Sequence, residues 1–343
     1  MISKKEFSKD VLNIDADAEI ASITASIGRM VRQTLRRRGA VVAVSGGIDS
    51  SVCAALCARA LGKESVLALL LPERDSSPLS TQLGRTLAAS LGIETAVEDI
   101  SPVLEASGCY RRQTEAIQIV FPSYSSGWKN KITIPSILSG ERLNLSRLTV
   151  QSPSGESFES RIPVRAYLQL VAATNFKQRI RTMMTYYHAD RLNFAVCGTP
   201  NRLEYDQGFF VKSGDGSADF KPIAHLYKTQ VYALAEALGI PEEIRLRKPT
   251  SDTFSLPQTQ EEFYFALPYR EMDLCLYAHN RGVAANEVAA VIGLTAEQVE
   301  RVYKDIEAKR RTTLPLHLPP LTSSPIPEIS KMIQNSVGDR SEE

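Results

Sequence analysis

The sequence lacks the marks of several common protein classes. It has five cysteines among 343 residues, an odd number without a C-x-x-C pair, which argues against both a disulfide framework and a zinc knuckle. Lysine and arginine together number 40 against 39 acidic residues, a net charge of +1, so the overall balance does not favour nucleic acid or an anionic membrane as a partner. The four histidines are scattered, and none is assigned to a metal or to a general base.

Long hydrophobic runs are also missing. No apolar stretch approaches the length that spans a membrane, and the first residues, Met1–Phe7, lack the apolar core of a secretory signal. These features predict a cytoplasmic protein with no membrane partner. Hydrophobic residues still make up 43% of the chain, enough for a substantial core in one large α/β domain or in one domain with appendages.

One short stretch, Val41–Ser51, carries the clearest local signal. Its first four residues suit a strand buried on both faces, and Val52–Leu61 has the composition of a helix. Between them, Gly46 and Gly47 allow the backbone to approach a ligand, and the start of the helix favours an anion. Hydroxyl donors are added by Ser45, Ser50 and Ser51. The stretch therefore predicts a strand, a phosphate-binding loop and a helix.

The elements that follow predict the fold. Ser65–Pro72 and Glu94–Ile100 have the composition of strands, and a helical pattern near residues 80–91 separates them. A long helix over Tyr167–Tyr187 precedes a further strand, Phe194–Cys197. Alternation at this spacing is typical of βαβ units, so we expect a doubly wound parallel sheet with the ligand at the carboxyl ends of its strands.

Residues 113–163 interrupt this alternation. Two stretches of alternating character, Arg142–Val150 and Ser157–Ile162, flank the turn Pro153-Ser154-Gly155 and predict a β-hairpin. We therefore expect an insertion at 113–163 on an α/β domain formed by 1–112 and 164–315. The chain after Ser251 has a mostly helical pattern, and residues 316–343 are predicted to be an extended or disordered tail.

The glycine loop matches neither of the two common nucleotide motifs, G-x-x-x-x-G-K-[ST] and G-x-G-x-x-G. It resembles instead the S-G-G-x-D-S loop of the ATP pyrophosphatase superfamily, which implies a fold like that of the adenine nucleotide alpha hydrolases. Other segments resemble, in order and approximate spacing, those of the NAD synthetases. These segments are Asn175–Arg181, Gly198–Glu204, Gly208–Asp219, Pro222–Lys228 and Lys248–Asp252.

The resemblance implies a reaction. NAD synthetases use ATP and Mg²⁺ to adenylate the nicotinate carboxylate of deamido-NAD, and ammonia then displaces AMP to give NAD. Such chemistry depends on positioning and on stabilising charge. No stretch of this chain is long enough for an attached amidase domain, so free ammonia is the simplest nitrogen donor, with a separate glutaminase subunit left open. A homodimer is also implied, because family members bind deamido-NAD across a subunit interface.

The resemblance also implies site residues. Asp49 and Glu204 would hold Mg²⁺, an ion that takes hard oxygen ligands. The residues expected to contact ATP are Ser45, Gly46, Gly47, Asp49, Ser50, Ser51, Thr199, Lys228 and Thr250. Those expected to contact deamido-NAD are Arg179, Lys212, Asp219 and Lys309. Among all of these, Asp49, Lys228 and Asp219 are the expected catalytic residues.

Two departures leave other functions open. Gln258–Glu261 stands where the family reads Gln-Thr-Asp-Glu, and Val211–Ser213 stands where it reads Thr-Lys-Tyr. A related amide ligase acting on a different carboxylate is therefore an alternative. Residues 284–302 also resemble a helix-turn-helix, which would make the protein a DNA-binding regulator. The acidic start of the second helix argues against this, because it would repel phosphates.

Overall fold

The computed structural model describes residues 7–134, 146–250, 253–265 and 267–337. Its strands are β1 (Ala40–Ala43), β2 (Val66–Leu70), β3 (Glu94–Val97), β4 (Lys129–Thr133), β5 (Arg147–Gln151), β6 (Ser157–Arg161) and β7 (Ala195–Cys197). Within these residues no helix is both long enough and apolar enough to cross a membrane.

Helices connect and cover these strands. The α-helices in the first half are α1 (Ala16–Gly28), α2 (Ile48–Leu61), α3 (Pro78–Leu91), α4 (Ser101–Ala106), α5 (Cys109–Gln118) and α6 (Val164–Leu192). Those in the second half are α7 (Arg202–Gln207), α8 (Lys228–Ala237), α9 (Glu242–Arg245), α10 (Tyr269–Asn280), α11 (Ala285–Ile292), α12 (Ala296–His317) and α13 (Pro327–Val337). A short helical segment at Glu261–Phe265 precedes α10.

The central sheet is parallel, with the strand order β3-β2-β1-β7. Val41 of β1 lies opposite Leu67 on one side and Val196 on the other. One face of the sheet is covered by α1, α2, α3 and α8, and the other by α4, α5 and α6. Because both faces are covered, β2 is buried along its whole length. The predicted doubly wound parallel sheet is thus confirmed.

The segment predicted as an insertion forms a second, antiparallel sheet in the order β4-β5-β6. The predicted hairpin is present as β5 and β6, while Arg142–Leu145 lies outside the described residues. Strand β4 was not predicted from the sequence. Its residues are mostly polar, and only Asn130 and Ile132 point into the protein, so the sequence gives a weak strand signal there. The domain boundaries themselves stay a prediction.

The C-terminal part is helical, as predicted. Helices α10, α11 and α12 share a second core, in which Val288, Val299 and Ile306 are buried. The tail differs from the expectation of an extended chain from 316 onward, because α12 continues to His317 and α13 spans Pro327–Val337. A proline at the first position and Glu328 in the first turn favour a helix start there.

A buried ion pair ties α6 to the end of β2. The Nζ atom of Lys177 lies 2.8 Å from Oε1 of Glu73 and 2.8 Å from Oδ2 of Asp75, and it also donates to the carbonyl of Thr253 at 3.0 Å. The hydroxyl of Tyr110 donates to the other oxygen of Glu73 at 2.9 Å. The side chains of Lys177 and Glu73 are only 1% and 0% exposed, so each charge depends on the other for compensation.

We therefore expect Lys177→Met to lower the free energy of unfolding by about 3–5 kcal/mol, since the substitution leaves Glu73 as an uncompensated buried charge. Chemical denaturation measures the change. Lys63→Met is the matched control, because Lys63 pairs with Glu64 at the surface and its loss should leave stability unchanged. Equal stability of both variants would contradict the assigned role of the buried pair.

Candidate active site

The predicted phosphate loop leaves the carboxyl end of β1 and enters α2 at Ile48, with Gly47 as the N-cap. Gly46 has a φ of +71°, a left-handed conformation that favours glycine. A Cβ atom at this position would lie 2.6 Å from the carbonyl oxygen of Ser80. The carbonyl of Gly46 also accepts a hydrogen bond from Arg247 at 3.3 Å. Glycine is therefore required here by both conformation and space.

The hydroxyls of the loop have different surroundings. Ser50 Oγ accepts a hydrogen bond from the Ser45 backbone at 3.2 Å, and both residues line the cavity described below. The hydroxyls of Ser50 and Ser51 both donate to the Gly47 carbonyl, at 3.0 and 2.9 Å, and both residues are buried, but Ser51 is not part of the cavity lining. Ser51 thus supports the start of α2 in this structure and does not face the cavity, although it was predicted to contact ATP.

An ion pair joins the start of α2 to the start of α8. Lys228, the first residue of α8, is buried, and its Nζ donates to one carboxylate oxygen of Asp49. The other oxygen of Asp49 accepts a hydrogen bond from the Asn201 side chain at 3.0 Å. Burial lowers the pKa of Lys228, but Asp49 and Glu204 raise that pKa more, so the net shift is upward and the ammonium is retained.

Glu204 lies beside this pair. Its Oε2 accepts a hydrogen bond from the Asn201 backbone at 3.1 Å, which forms a capping box at the start of α7. Its Oε1 accepts one from the Gln260 side chain at 2.9 Å. Burial raises the pKa of Glu204 to about 7, and the neighbouring Asp49 carboxylate adds to the rise. The carboxylates of Asp49 and Glu204 therefore repel each other, and a bound cation would reduce this repulsion.

Asp273 holds the start of α8 in place and was missed by the sequence analysis. Its carboxylate accepts hydrogen bonds from the backbone N–H groups of Lys228 at 3.2 Å and Thr229 at 2.7 Å, and from the Thr229 hydroxyl at 2.7 Å. Burial raises the pKa of Asp273 to about 7 despite these bonds. No sequence signal marks this role, because α10 approaches α8 only in the folded chain.

A cavity of about 1020 Å³ opens at the carboxyl ends of β1, β2 and β7. Most of the predicted site residues line it, namely Ser45, Gly47, Asp49, Ser50, Arg179, Thr199, Glu204, Lys212, Lys228, Thr250 and Lys309. Among the predicted residues, Gly46, Ser51 and Asp219 are not part of its lining. Residues that the sequence analysis did not select, including Arg181, Arg247, Lys248 and Gln260, also line the cavity.

Asp219 stands apart from the other predicted residues. Its carboxylate accepts hydrogen bonds from the Val196 backbone at 2.7 Å and from the Tyr186 hydroxyl at 3.4 Å. These contacts join the loop before Phe220 to the end of β7. Asp219 is exposed on the single chain, so its predicted catalytic and substrate-binding roles receive no support from the geometry of one subunit.

The cations predicted to contact deamido-NAD also line the cavity. Arg179 donates through Nε to the Lys212 carbonyl at 3.3 Å, and Lys212 donates through Nζ to the Pro315 carbonyl at 2.6 Å. Lys309 pairs with Asp305 at 2.7 Å and donates to the Tyr264 carbonyl at 2.7 Å. Burial lowers the pKa of Lys309, and the Asp305 carboxylate opposes that change.

Arg247 and Lys248 add positive charge close to the phosphate loop. Both line the cavity, and Arg247 also donates to the Ser80 hydroxyl at 2.9 Å. A signal was present in the sequence for Lys248, which begins the segment Lys248–Asp252, while Arg247 lies just before that segment. Together with the open end of α2, they give this side of the cavity the donors that a polyanion requires.

The family model described as NAD synthase matches residues 19–123 and 141–313. The chain belongs to this family. A protein named NH(3)-dependent NAD(+) synthetase from Mesorhizobium japonicum is 62% identical over 93% of this chain and 100% of its own length. A protein of the same name from Rhizobium meliloti is 57% identical over 94% of this chain and 96% of its own length. The resemblance found in the sequence is thereby confirmed.

Solved structures agree on the fold of this NAD synthase family member. An NH3-dependent NAD synthetase from Campylobacter jejuni covers 91% of this chain and 100% of its own, with a TM-score of 0.58 and 22% identity. An NMN synthetase from Francisella tularensis covers the same shares with a TM-score of 0.61 and 21% identity. At these identities the likeness concerns the fold alone. Family membership does not favour the alternative of a DNA-binding regulator.

The tight approach at Gly46 leads to a prediction. Gly46→Ala should lower both the free energy of unfolding and the affinity for ATP, since the new methyl group would displace the loop from Ser80. Gly239→Ala is the control, because Gly239 also has a positive φ, +67°, but its added methyl would meet no atom within 4 Å. The control should lose only about 1 kcal/mol. Denaturation and calorimetric ATP titration measure the two effects, and unchanged ATP binding in Gly46→Ala would contradict the prediction.

Proposed function

We propose that this protein catalyses the ATP-dependent amidation of deamido-NAD to NAD, with ammonia as the nitrogen donor. Membership of the NAD synthase family supports the reaction. The observation that carries the proposal is the meeting of Asp49, Glu204 and Lys228 beside the glycine loop, in a cavity that is also lined by the cations Arg179, Lys212 and Lys309. The cavity of about 1020 Å³ has room for large ligands.

The first chemical step is adenylation. A carboxylate oxygen of deamido-NAD bonds to the α-phosphorus of ATP, the bond between the α- and β-phosphates breaks, and pyrophosphate leaves. The backbone N–H groups at the start of α2 and the side chains of Arg247 and Lys248 are placed to bind the departing anion. Lys228 keeps its positive charge beside the reacting phosphates. These residues bind and orient the reactants and stabilise charge.

The second step forms the amide. The ammonia nitrogen bonds to the acyl carbon, the carbon–oxygen bond to AMP breaks, and a proton passes to solvent. Ammonia can enter as the free base, so the chemistry does not demand a protein base. We take free ammonia as the donor. A separate glutaminase subunit stays an open alternative, and the cytoplasmic location stays a prediction.

Magnesium fits the acidic pair. Asp49 and Glu204 offer carboxylate oxygens, whose mutual repulsion a divalent ion would relieve. Across the described residues, no three side chains of His, Cys, Asp or Glu converge to hold a metal by themselves. This suits an ion that keeps several waters and shares the phosphates of its nucleotide. When bound, the ion would neutralise phosphate charge, and Asp49 and Glu204 would hold it.

A homodimer is supported by one side of α6. Four large apolar residues of this helix, Val164, Leu168, Met183 and Tyr187, are between 51% and 73% exposed. At 100° per residue they fall within one arc of about 140°, so one side of α6 carries two exposed apolar pairs, Val164 with Leu168 near its start and Met183 with Tyr187 near its end. Apolar pairs on one side of a helix are suited to packing against a copy of that helix around a two-fold axis. Arg179 lies on the same helix, which would bring the partner subunit near the cavity.

The proposed reaction is tested with purified protein, deamido-NAD, ATP and Mg²⁺, and with either ammonium or glutamine. NAD, AMP and pyrophosphate should form together with ammonium and not with glutamine. Asp49→Asn should lower kcat/KM by at least about 100-fold, because it removes the carboxylate that would hold Mg²⁺ and that pairs with Lys228. Glu236→Gln, at an exposed position of α8, should retain full activity. Turnover retained by Asp49→Asn would remove Asp49 from the mechanism.

The proposed dimer is tested by Leu168→Asp, which places a charge in the exposed apolar pair near the start of α6. Light scattering after gel filtration should show a dimer for the unaltered protein and a monomer for this variant. Ala21→Asp adds the same charge at an exposed position of α1, a helix that covers the other face of the sheet, and should stay dimeric. A dimer in both variants would place the interface elsewhere.

A further inference from the structure

The segment Thr253–Phe263 brings a side chain to the acidic site from outside the central sheet. Gln260 donates to Oε1 of Glu204 at 2.9 Å, while the Asn201 backbone donates to Oε2 at 3.1 Å. Both carboxylate oxygens of Glu204 thus have one fixed donor, and the remaining lone pairs are left for a cation. Gln260 can hold Glu204 in this way only while its own segment stays in place.

Strand β4 holds that segment through its backbone. The carbonyl of Asn130 accepts a hydrogen bond from the Leu256 N–H at 3.0 Å, and the Asn130 N–H donates to the Ser255 hydroxyl at 2.9 Å. The Gln258 side chain donates to the carbonyl of Ile132. Just past the strand, the Ile134 N–H donates to the carbonyl of Glu262 at 2.9 Å. These contacts run along the whole edge of β4 that faces the segment.

Charge and apolar packing add to the backbone contacts. Lys131 of β4 lies 3.4 Å from the carboxylate of Glu262. Phe254 is 5% exposed and shares the core of the insertion with Ile132 and Leu148. Phe263 packs against the same cluster. The segment is therefore built into the insertion as much as into the α/β domain, where Lys177 holds its other end through the Thr253 carbonyl.

Strand β4, which holds the segment Thr253–Phe263, lies in a part of the chain that differs from the family pattern. The family model matches residues 19–123 and 141–313 and leaves out 124–140, which contain all of β4. The segment that β4 holds also departs from the family, with Gln260 where an aspartate is expected. A carboxamide can donate a hydrogen bond to Glu204, whereas an ionised aspartate could only repel it.

We propose that β4 is a positioning strand of the active site, which holds Thr253–Phe263 so that Gln260 orients Glu204 for the cation bound with ATP. The inference rests on the proposed function for the identity of that cation. Gln260 acts here as a positioning residue, because its side chain acts through its hydrogen bond to Glu204. Outer contacts of this kind contribute about 10–100-fold to metal affinity.

The first test needs no ligand. Hydrogen–deuterium exchange is measured on the unliganded protein for Gln258→Leu, which removes the bond to Ile132 and keeps the size of the side chain. Amides of 254–263 should exchange at least about 10-fold faster, with the rest of the sheet unchanged. Gln151→Leu, in the same insertion on β5 but away from the segment, is the control and should exchange like the unaltered protein. Unchanged exchange at 254–263 in Gln258→Leu would overturn the role of β4.

The second test measures the affinity for α,β-methylene-ATP with and without Mg²⁺ by calorimetry. Gln260→Leu and Gln258→Leu should each lose about 10-fold of the gain in affinity that Mg²⁺ provides, while affinity without Mg²⁺ stays constant. Gln151→Leu should retain the full gain. A full gain in Gln260→Leu would overturn the role of that residue, and faster exchange with a full gain in Gln258→Leu would reduce β4 to a structural element.

Two provisions keep these results interpretable. If Gln258→Leu does not fold, Lys131→Met removes the ion pair to Glu262 at the edge of the same strand and should change exchange and Mg²⁺ dependence in the same direction. Neither measurement depends on deamido-NAD. A protein that makes no NAD but passes both tests would retain the positioning strand and lose only the proposed reaction.

Discussion

The active site depends on the buried contact between Lys228 and Asp49. This contact joins the first turn of α2, which follows β1, to the first turn of α8, which comes after β7 in the chain. It holds both helix starts beside the cavity. Asn201 extends this connection to α7 and Glu204, and Asp273 extends it to α10. Because the side chains of Lys228 and Asp49 are only 3% and 15% exposed, removing one charge would leave the other without its partner in a largely buried place. The starts of α2, α7 and α8 and the side of α10 are therefore connected through this ion pair and its hydrogen bonds.

Local signals in the sequence predicted the part of the site that depends on local structure. The glycine loop was recognisable because a strand, two glycines and a helix are consecutive, and the parallel sheet followed from alternation. Asp273 could not be found in this way, since it caps a helix 45 residues earlier in the chain. The hydroxyls of Ser50 and Ser51 both donate to the Gly47 carbonyl, but only Ser50 lines the cavity. The two residues point in different directions around the helix, and composition does not reveal which one faces the ligand.

The insertion shows a different limit of sequence reasoning. The hairpin of β5 and β6 was predictable from its alternation and turn, but β4 consists of lysine, asparagine and threonine around a single isoleucine. Its stability as a strand comes from partners on both edges, β5 on one side and the segment near Leu256 on the other. Strands of this kind are specified by their neighbours more than by their own residues. The same neighbours connect the insertion to Glu204.

The placement of Lys228 has one more consequence. A lysine at the first residue of a helix lies at the positive end of the helix dipole, which is the unfavourable end for a cation. The carboxylates of Asp49 and Asp273 offset this arrangement, and Glu204 in turn lies close enough to Asp49 for its own ionisation to be opposed. The free enzyme thus holds like charges together at a cost in folding stability. A polyanion bound with its counter-ion would reduce both repulsions, so binding of the ligand should stabilise the part of the fold in which like charges meet.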